Sequence, residues 1–112
     1  MGLTNQPPDL LPGTLDMLIL RTLLRGELHG YGIAERLRQV SEDVLHVGES
    51  SLYPALQRLL LNGWVKAEWG TSDNNRRARF YQLTSAGRRQ LTQETASWEE
   101  FVLAVTRVLQ TA

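Results

Sequence analysis

Residues 48–83 have the sequence GESSLYPALQRLLLNGWVKAEWGTSDNNRRARFYQL, and this stretch decides the fold. Its first part, which ends at an Asn-Gly pair, has leucines at the spacing of a helix with one buried face. Apolar and polar residues then alternate over residues 64–69, a polar turn covers 70–75, and an aromatic-rich strand returns over 77–83. The stretch therefore predicts one helix followed by a two-stranded hairpin.

The predicted helix has a buried face and an outward face. We expect Ser50 or Ser51 to cap its start, because Pro54 is tolerated only in the first turn of a helix. The buried face consists of Leu52, Leu56, Leu59 and Leu60. The outward face consists of Ser50, Tyr53, Pro54, Gln57, Arg58 and Leu61. The major groove of DNA admits a helix whose first turns present such side chains to base edges, so this face is either a DNA-contacting surface or an ordinary solvated one.

The hairpin combines a core-facing side with a basic tip. We expect the side chains of Val65, Ala67, Trp69, Tyr81 and Leu83 to face the core.

Arginines near the tip give the hairpin its second predicted role. Arg76 and Arg77 lie at the tip, strand spacing places Arg79 on the same face as Arg77, and Lys66 on the preceding strand adds a further cation. Guanidinium groups pair with phosphate oxygens, so these side chains either follow the DNA backbone or enter the minor groove. The alternative is an edge hairpin kept soluble by charge. A polar helix face followed by a basic hairpin predicts a winged helix-turn-helix, a mainly α fold of the α+β class.

Composition sets limits on the class of protein. The 112 residues suit one compact domain, and the formal net charge is zero. Between Arg58 and Arg89, however, seven basic residues stand against two acidic ones, and this local excess of five suits a phosphate-facing surface. The absence of cysteine excludes disulfides and thiolate metal sites and fits a reducing compartment, for which the cytoplasm is our expectation. The longest apolar run is too short to cross a membrane.

Two helices are predicted before this stretch. Residues 1–11 contain two prolines and no periodicity, which predicts a flexible N-terminal arm. A first helix is expected from Pro12 or Gly13 to about Arg25, and because it is apolar around most of its circumference it must be covered on more than one side. A second, amphipathic helix begins at the segment Gly30 to Gly32.

A long helix is predicted after the hairpin. Thr84 is a suitable N-cap for a helix from Ser85 to about Gln110. Residues recur along it at alternating steps of four and three, and we call this set the C-terminal seam: Leu91, Thr95, Trp98, Val102, Val105, Leu109 and Ala112. A seam of this period requires a partner helix, which predicts a homodimer. The chain thus divides into an arm (1–11), a DNA-binding domain (12–83) and a dimerisation helix (84–112).

No catalytic or metal-binding pattern is recognisable in the sequence. His29 and His46 have no histidine or cysteine partner at ligand spacing, and Gly48 to Leu52 does not form a nucleophile elbow. We therefore expect a protein that is not an enzyme and needs no metal or cofactor.

Taken together, several motifs resemble the PadR family of bacterial transcriptional regulators from about Leu11 to the C-terminus. The motifs are LHGYGI (28–33), SLYPALQRL (51–59), GWV (63–65), WG (69–70), RRARFYQLT (76–84) and AGR (86–88). The resemblance implies a winged-helix repressor that is dimeric through its last helix and usually also its first. It is closest to the short branch of the family, whose members act in the bacterial cytoplasm and on the nucleoid when bound to DNA.

The resemblance also assigns roles to particular residues. Ser51, Tyr53 and Pro54 match the start of the recognition helix, and Tyr31 matches an aromatic residue that often approaches the DNA backbone. The basic wing is matched by Arg76, Arg77 and Arg79.

A ligand site is a further implication of the resemblance. In some short members a tryptophan of the last helix lines a drug pocket at the dimer centre, and Trp98 falls at a similar place, with Leu15 and Val102 as candidate neighbours. A small hydrophobic or aromatic effector is therefore one expected partner, beside double-stranded DNA and a second copy of the chain. The alternative for Trp98 is packing in the dimer core. The alternative for the whole chain is a winged helix that uses the same face to bind another protein.

Overall fold

The computed structural model describes residues 13–111, which form four α-helices, a 3₁₀ turn and three strands. In chain order these are α1 (Thr14–Thr22), the 3₁₀ turn (Leu23–Arg25), β1 (Leu28–His29), α2 (Gly30–Val40), α3 (Glu49–Leu61), β2 (Val65–Thr71), β3 (Arg77–Leu83) and α4 (Ser85–Gln110). The predicted arm, Pro12 and Ala112 lie outside the described residues. None of the helices within residues 13–111 is long and apolar enough to cross a bilayer.

Helix α1 lies at the centre of the core. Ile19 and Leu20 have no exposed surface, and α1 contacts α2, α3 and α4. The prediction that this helix is covered on several sides is therefore confirmed, and helices of the same chain provide the cover. The helix ends at Thr22, earlier than predicted, because the chain tightens there into the 3₁₀ turn, as helix C-termini often do.

Helix α3 begins one residue before the predicted serine cap. Gly48 is the N-cap residue in an extended conformation, and its carbonyl oxygen accepts hydrogen bonds from the backbone N–H groups of Ser51 (3.1 Å) and Leu52 (2.9 Å). The prediction of a serine cap was therefore wrong, since no side chain caps this helix. Ser50 and Ser51 instead lie exposed in its first turn. The buried face contains Ala55 beside three of the predicted leucines, whereas Leu60 is only half-buried.

The three strands form an antiparallel sheet in the order β1-β3-β2. Strands β2 and β3 pair over seven residues, from Val65 opposite Leu83 to Thr71 opposite Arg77. Strand β1, which sequence periodicity did not predict, pairs Leu28 with Tyr81. A strand of two residues is too short to show an alternating pattern, so only its partner reveals it.

The hairpin extends beyond the helices that cover its base. Val65, Tyr81 and Leu83 are buried as predicted, and Ala67 is half-buried. The prediction for Trp69 was wrong, because its side chain is 61% exposed. The side chains of β2 that face the helices therefore become more exposed towards the hairpin tip, because the helices cover only the base of the hairpin.

The start of α4 fixes the hairpin to the core. The Thr84 hydroxyl accepts a hydrogen bond from the Gly87 N–H (3.0 Å), which confirms the predicted cap, and donates one to the Gly63 carbonyl oxygen (2.7 Å). The Thr84 N–H also donates to the Trp64 carbonyl oxygen at 3.1 Å. These bonds tie the end of α3, the first residues of the hairpin and α4 into one unit.

The connection between α2 and α3 has a fixed conformation. Glu42 and Asp43 both have positive φ angles (53° and 70°), which non-glycine residues adopt at some cost. The Arg38 guanidinium donates to the Asp43 carboxylate at 2.8 Å and lowers the pKa of that carboxyl group. The Ser41 hydroxyl accepts from the Leu45 N–H at 2.9 Å. The connection thereby sets the position of α3 relative to α2.

Candidate nucleic-acid interface

The outward face of α3 is exposed along its length. The exposed side chains are Ser50, Ser51, Tyr53, Pro54, Gln57, Arg58 and Leu61. Tyr53 is 48% exposed, and its ring also packs over the start of α2. A Cβ atom added at Gly30 would lie 3.0 Å from the Tyr53 hydroxyl oxygen and 3.2 Å from its ring. The absence of a side chain at Gly30 therefore lets the aromatic ring bridge the two helices.

Arg58 differs from the rest of this face because it is held within the chain. Its Nη2 and Nε atoms donate to the two carboxylate oxygens of Asp16 at 2.7 and 3.2 Å. The hydrogen bonds that it donates to the Asp16 carboxylate raise the pKa of the Arg58 guanidinium above its ordinary value. A bidentate pair of this kind joins α3 to α1 and leaves Arg58 less free to contact phosphate. Sequence spacing could not reveal it, since the partners are 42 residues apart.

The start of α2 presents Tyr31 on the same side as Tyr53. The His29 side chain caps the helix, because its Nδ1 atom accepts the Gly32 N–H at 2.9 Å. Tyr31 is 71% exposed, and its hydroxyl donates to the Glu35 carboxylate at 3.1 Å. Hydrogen bonds from Arg38 and from Tyr31 lower the pKa of Glu35.

The hairpin arginines are on the sheet face that looks towards α3. Trp69 lies opposite Arg79 in the β2–β3 register, and the guanidinium carbon of Arg77 lies 4.6 Å from the centroid of the Trp69 ring. Lys66 pairs instead with Gln82 on the other face of the hairpin. The structure therefore brings Arg77 and Arg79 together with α3 and places Lys66 apart from them.

A cleft separates these two walls. It has a volume of about 660 Å³, and its lining includes Tyr31, Tyr53, Trp69, Arg76, Arg77 and Arg79. Tyr81 also lines it, and burial raises the pKa of the Tyr81 phenol. None of the described lining residues is acidic. Cations and hydroxyl groups surrounding an open cleft suit an anion such as phosphate.

Trp69, Ser72, Asn74 and Tyr81 line the cleft although the sequence did not predict them as site residues, and Trp69 has the largest side chain among them. The position of Trp69 in an alternating strand predicted burial. Its exposure depends on how far the helices cover the hairpin, which the sequence pattern does not show. The only sequence signal was its closeness to the arginine-rich tip.

The outer half of α4 exposes a set of large apolar side chains. Of the C-terminal seam, Leu91 is buried in the core of its own chain and Thr95 is half-buried, so neither presents an open surface. The seam members Trp98, Val102, Val105 and Leu109 are exposed, together with Phe101 and Val108 on one flank.

Trp98 also borders a groove between α1 and α4. The groove has a volume of about 320 Å³ and is lined by Gly13, Thr14, Met17, Glu94, Ser97, Trp98 and Phe101. The predicted neighbours of Trp98 are not among the lining residues. Leu15 belongs to the core, and Val102 lies one turn further along α4.

Comparison with known proteins identifies the family. Residues 19–93 match the profile of the "Transcriptional regulator PadR-like family". The fold is similar to that of a transcriptional regulator from Clostridium thermocellum, with 28% identity, a TM-score of 0.78, and coverage of 85% of this chain and 92% of the other. It is also similar to a PadR family transcriptional regulator from Eggerthella lenta, with 29% identity, a TM-score of 0.76, and coverage of 89% and 85%.

A relative found by sequence similarity extends the comparison. A protein from Lysinibacillus sphaericus, described as uncharacterized, is 28% identical over 92 residues, which are 82% of this chain and 84% of that protein. The family profile spans α2, α3 and the hairpin, the parts that build the cleft. The chain belongs to the PadR-like family of transcriptional regulators.

Proposed function

We propose that the protein is a homodimeric repressor that binds a pseudo-palindromic operator. Each protomer inserts α3 into one of two successive major grooves and lays its hairpin on the flanking phosphates. The observation that carries this proposal is the cleft in which the exposed face of α3 and the arginines of β3 meet. Family membership supports the DNA-binding role. The protein acts in the bacterial cytoplasm, on the nucleoid while it is bound to DNA.

The dimer is proposed from the apolar surface of α4. Exposed valines and leucines at steps of three and four suit a second copy of the same helix, which would bury them. Pairing through α4 would also set the distance between the two α3 helices, and this distance determines the spacing of the operator half-sites.

Release by a small hydrophobic or aromatic effector is a further part of the proposal. The groove beside Trp98 has room for a planar ring, and it adjoins the proposed dimer surface. An effector there would change the relative position of the two α3 helices. A saturable change of tryptophan emission with a planar drug, lost in Trp98→Leu, would support this part, and an unchanged emission across a broad panel would contradict it.

Two substitutions separate sequence recognition from phosphate contact. We expect Tyr53→Ala to weaken binding to the operator more than to unrelated DNA, because Tyr53 lies at the start of the helix that faces the bases. We expect Arg77→Ala to weaken binding to both DNAs alike and to reduce the slope of log K against log salt by about 1. Fluorescence anisotropy at several salt concentrations would measure both effects.

Arg58→Ala is the matched control for Arg77→Ala. Both changes remove one arginine, but the Arg58 guanidinium is bound to Asp16. Its removal is therefore expected to change the salt slope less. Equal losses for Tyr53→Ala and Arg77→Ala on operator and random DNA would contradict the proposed division of roles.

A further inference from the structure

We propose that the cleft between α3 and the hairpin is a phosphodiester clamp, and that Trp69 is the residue that positions Arg77 in it. The proposal rests on the DNA-binding function above and specifies which part of the DNA the hairpin contacts. It assigns a role to Trp69, whose exposed indole the fold itself does not require.

The exposure of Trp69 supports this role. A tryptophan that is 61% exposed on the edge strand of a sheet presents a large aromatic ring to its neighbours. The ring is not free of contacts, however, because the Arg77 guanidinium stacks on it with 4.6 Å between the guanidinium carbon and the ring centroid. Stacking of this kind restricts a long side chain that would otherwise sample many rotamers.

The chemistry of the cleft also supports phosphate binding. Arg77 and Arg79 extend from one sheet face on one wall, Tyr53 forms the opposite wall, and the buried Tyr81 lies at the base. The Tyr81 phenol is a hydrogen-bond donor at neutral pH, as tyrosine ordinarily is, and burial raises its pKa further. No carboxylate is among the described residues that line the cleft. Guanidinium donors on one wall and a phenol at the base, without an acidic group beside them, suit a negatively charged, non-bridging phosphate oxygen.

The position of Arg77 indicates which part of the DNA the hairpin contacts. The Arg77 guanidinium is held against the Trp69 ring, and both residues line the cleft. Insertion into the minor groove would require the guanidinium to leave the indole ring. The stacked geometry therefore favours the backbone between the grooves over the groove itself.

A double-mutant cycle tests the pairing of Trp69 with Arg77 on DNA. In full-length dimeric protein, we expect Trp69→Ala to weaken binding to operator and unrelated DNA alike, by roughly two- to fivefold. Trp69→Phe is expected to restore most of this loss, because a phenyl ring also stacks with guanidinium. In an Arg77→Ala background, Trp69→Ala should cause no further loss, since the side chain that it positions is gone.

Two controls separate the clamp from a general effect on the hairpin. Lys66→Ala removes a cation from the opposite face of the same hairpin and is expected to change affinity less than Arg77→Ala. Exchanging A·T for G·C pairs beneath the hairpin should leave the effect of Trp69→Ala unchanged, because a phosphate contact does not depend on the base pair. Thermal melts of each variant show whether the fold is retained.

The outcomes distinguish the clamp from the function on which it rests. If the wild-type protein binds no DNA, the proposed function fails and the clamp fails with it. If the wild type binds DNA but Trp69→Ala has no effect, or keeps its full effect without Arg77, only the clamp is overturned. If the effect of Trp69→Ala on affinity depends on the A·T content beneath the hairpin, the clamp is overturned in favour of minor-groove insertion.

Discussion

Gly87→Ala is expected to lower the free energy of unfolding by at least about 3 kcal/mol, one of the largest losses that a single added methyl group can cause. A Cβ atom at this position would lie 2.0 Å from the Trp64 carbonyl oxygen and 2.8 Å from the Leu83 side chain. The helix cannot simply move away, because Thr84, its N-cap residue, is bound to the carbonyl oxygens of Gly63 and Trp64 through two hydrogen bonds. Thermal and denaturant unfolding would measure the loss.

Gly32→Ala is the matched control for this substitution. It places the same methyl group in another helix, where the nearest side-chain atoms are 3.4 Å away and therefore in ordinary contact. Alanine is favoured over glycine inside helices, so this variant is expected to be as stable as the wild type or more stable by about 0.5–1 kcal/mol. Equal stability of the two variants would show that α4 does not pack against the hairpin base as described.

Val102→Glu combined with Val105→Glu is expected to convert the proposed dimer into a monomer and to reduce operator affinity roughly 100-fold or more. Both valines belong to the exposed part of the C-terminal seam, and a dimer would bury the new carboxylates without partners. A monomer would bind one half-site at a time and lose the gain from simultaneous contacts. Sedimentation equilibrium and operator titration would measure the two effects.

Leu103→Glu is the control for the dimer substitutions. Leu103 is also exposed on α4, but it follows Val102 by one residue and so points roughly 100° away from the seam. This variant should remain dimeric and bind the operator normally. A double variant that stays dimeric, or a monomer that keeps full operator affinity, would contradict the proposed assembly.

Local sequence patterns predicted the elements that carry the proposed interface. The bounds of β3, the cap at Thr84 and the outward face of α3 all follow from periodicity and capping chemistry, which depend on neighbouring residues. These features agree with the structure because tertiary packing reinforces the same pattern. The PadR-like family was likewise recognisable from motifs in sequence.

Features that depend on distant parts of the chain could not be predicted in this way. Trp69 fits an alternating strand, yet its exposure depends on how far the helices cover the hairpin. The pairing of Arg58 with Asp16 joins two helices, and β1 exists only because β3 lies beside it. The first two of these facts change the description of the site, since they add Trp69 to the cleft and restrain Arg58.

The most direct test of the account is the selection of bound sequences from a random pool of double-stranded DNA. The purified full-length protein would be used, at a salt concentration that suppresses binding driven by phosphate contacts alone. The account predicts enrichment of a motif with two-fold-related halves about one helical turn apart, which Tyr53→Ala would weaken. A folded protein that enriches no motif would contradict the claim that α3 recognises sequence in a dimer.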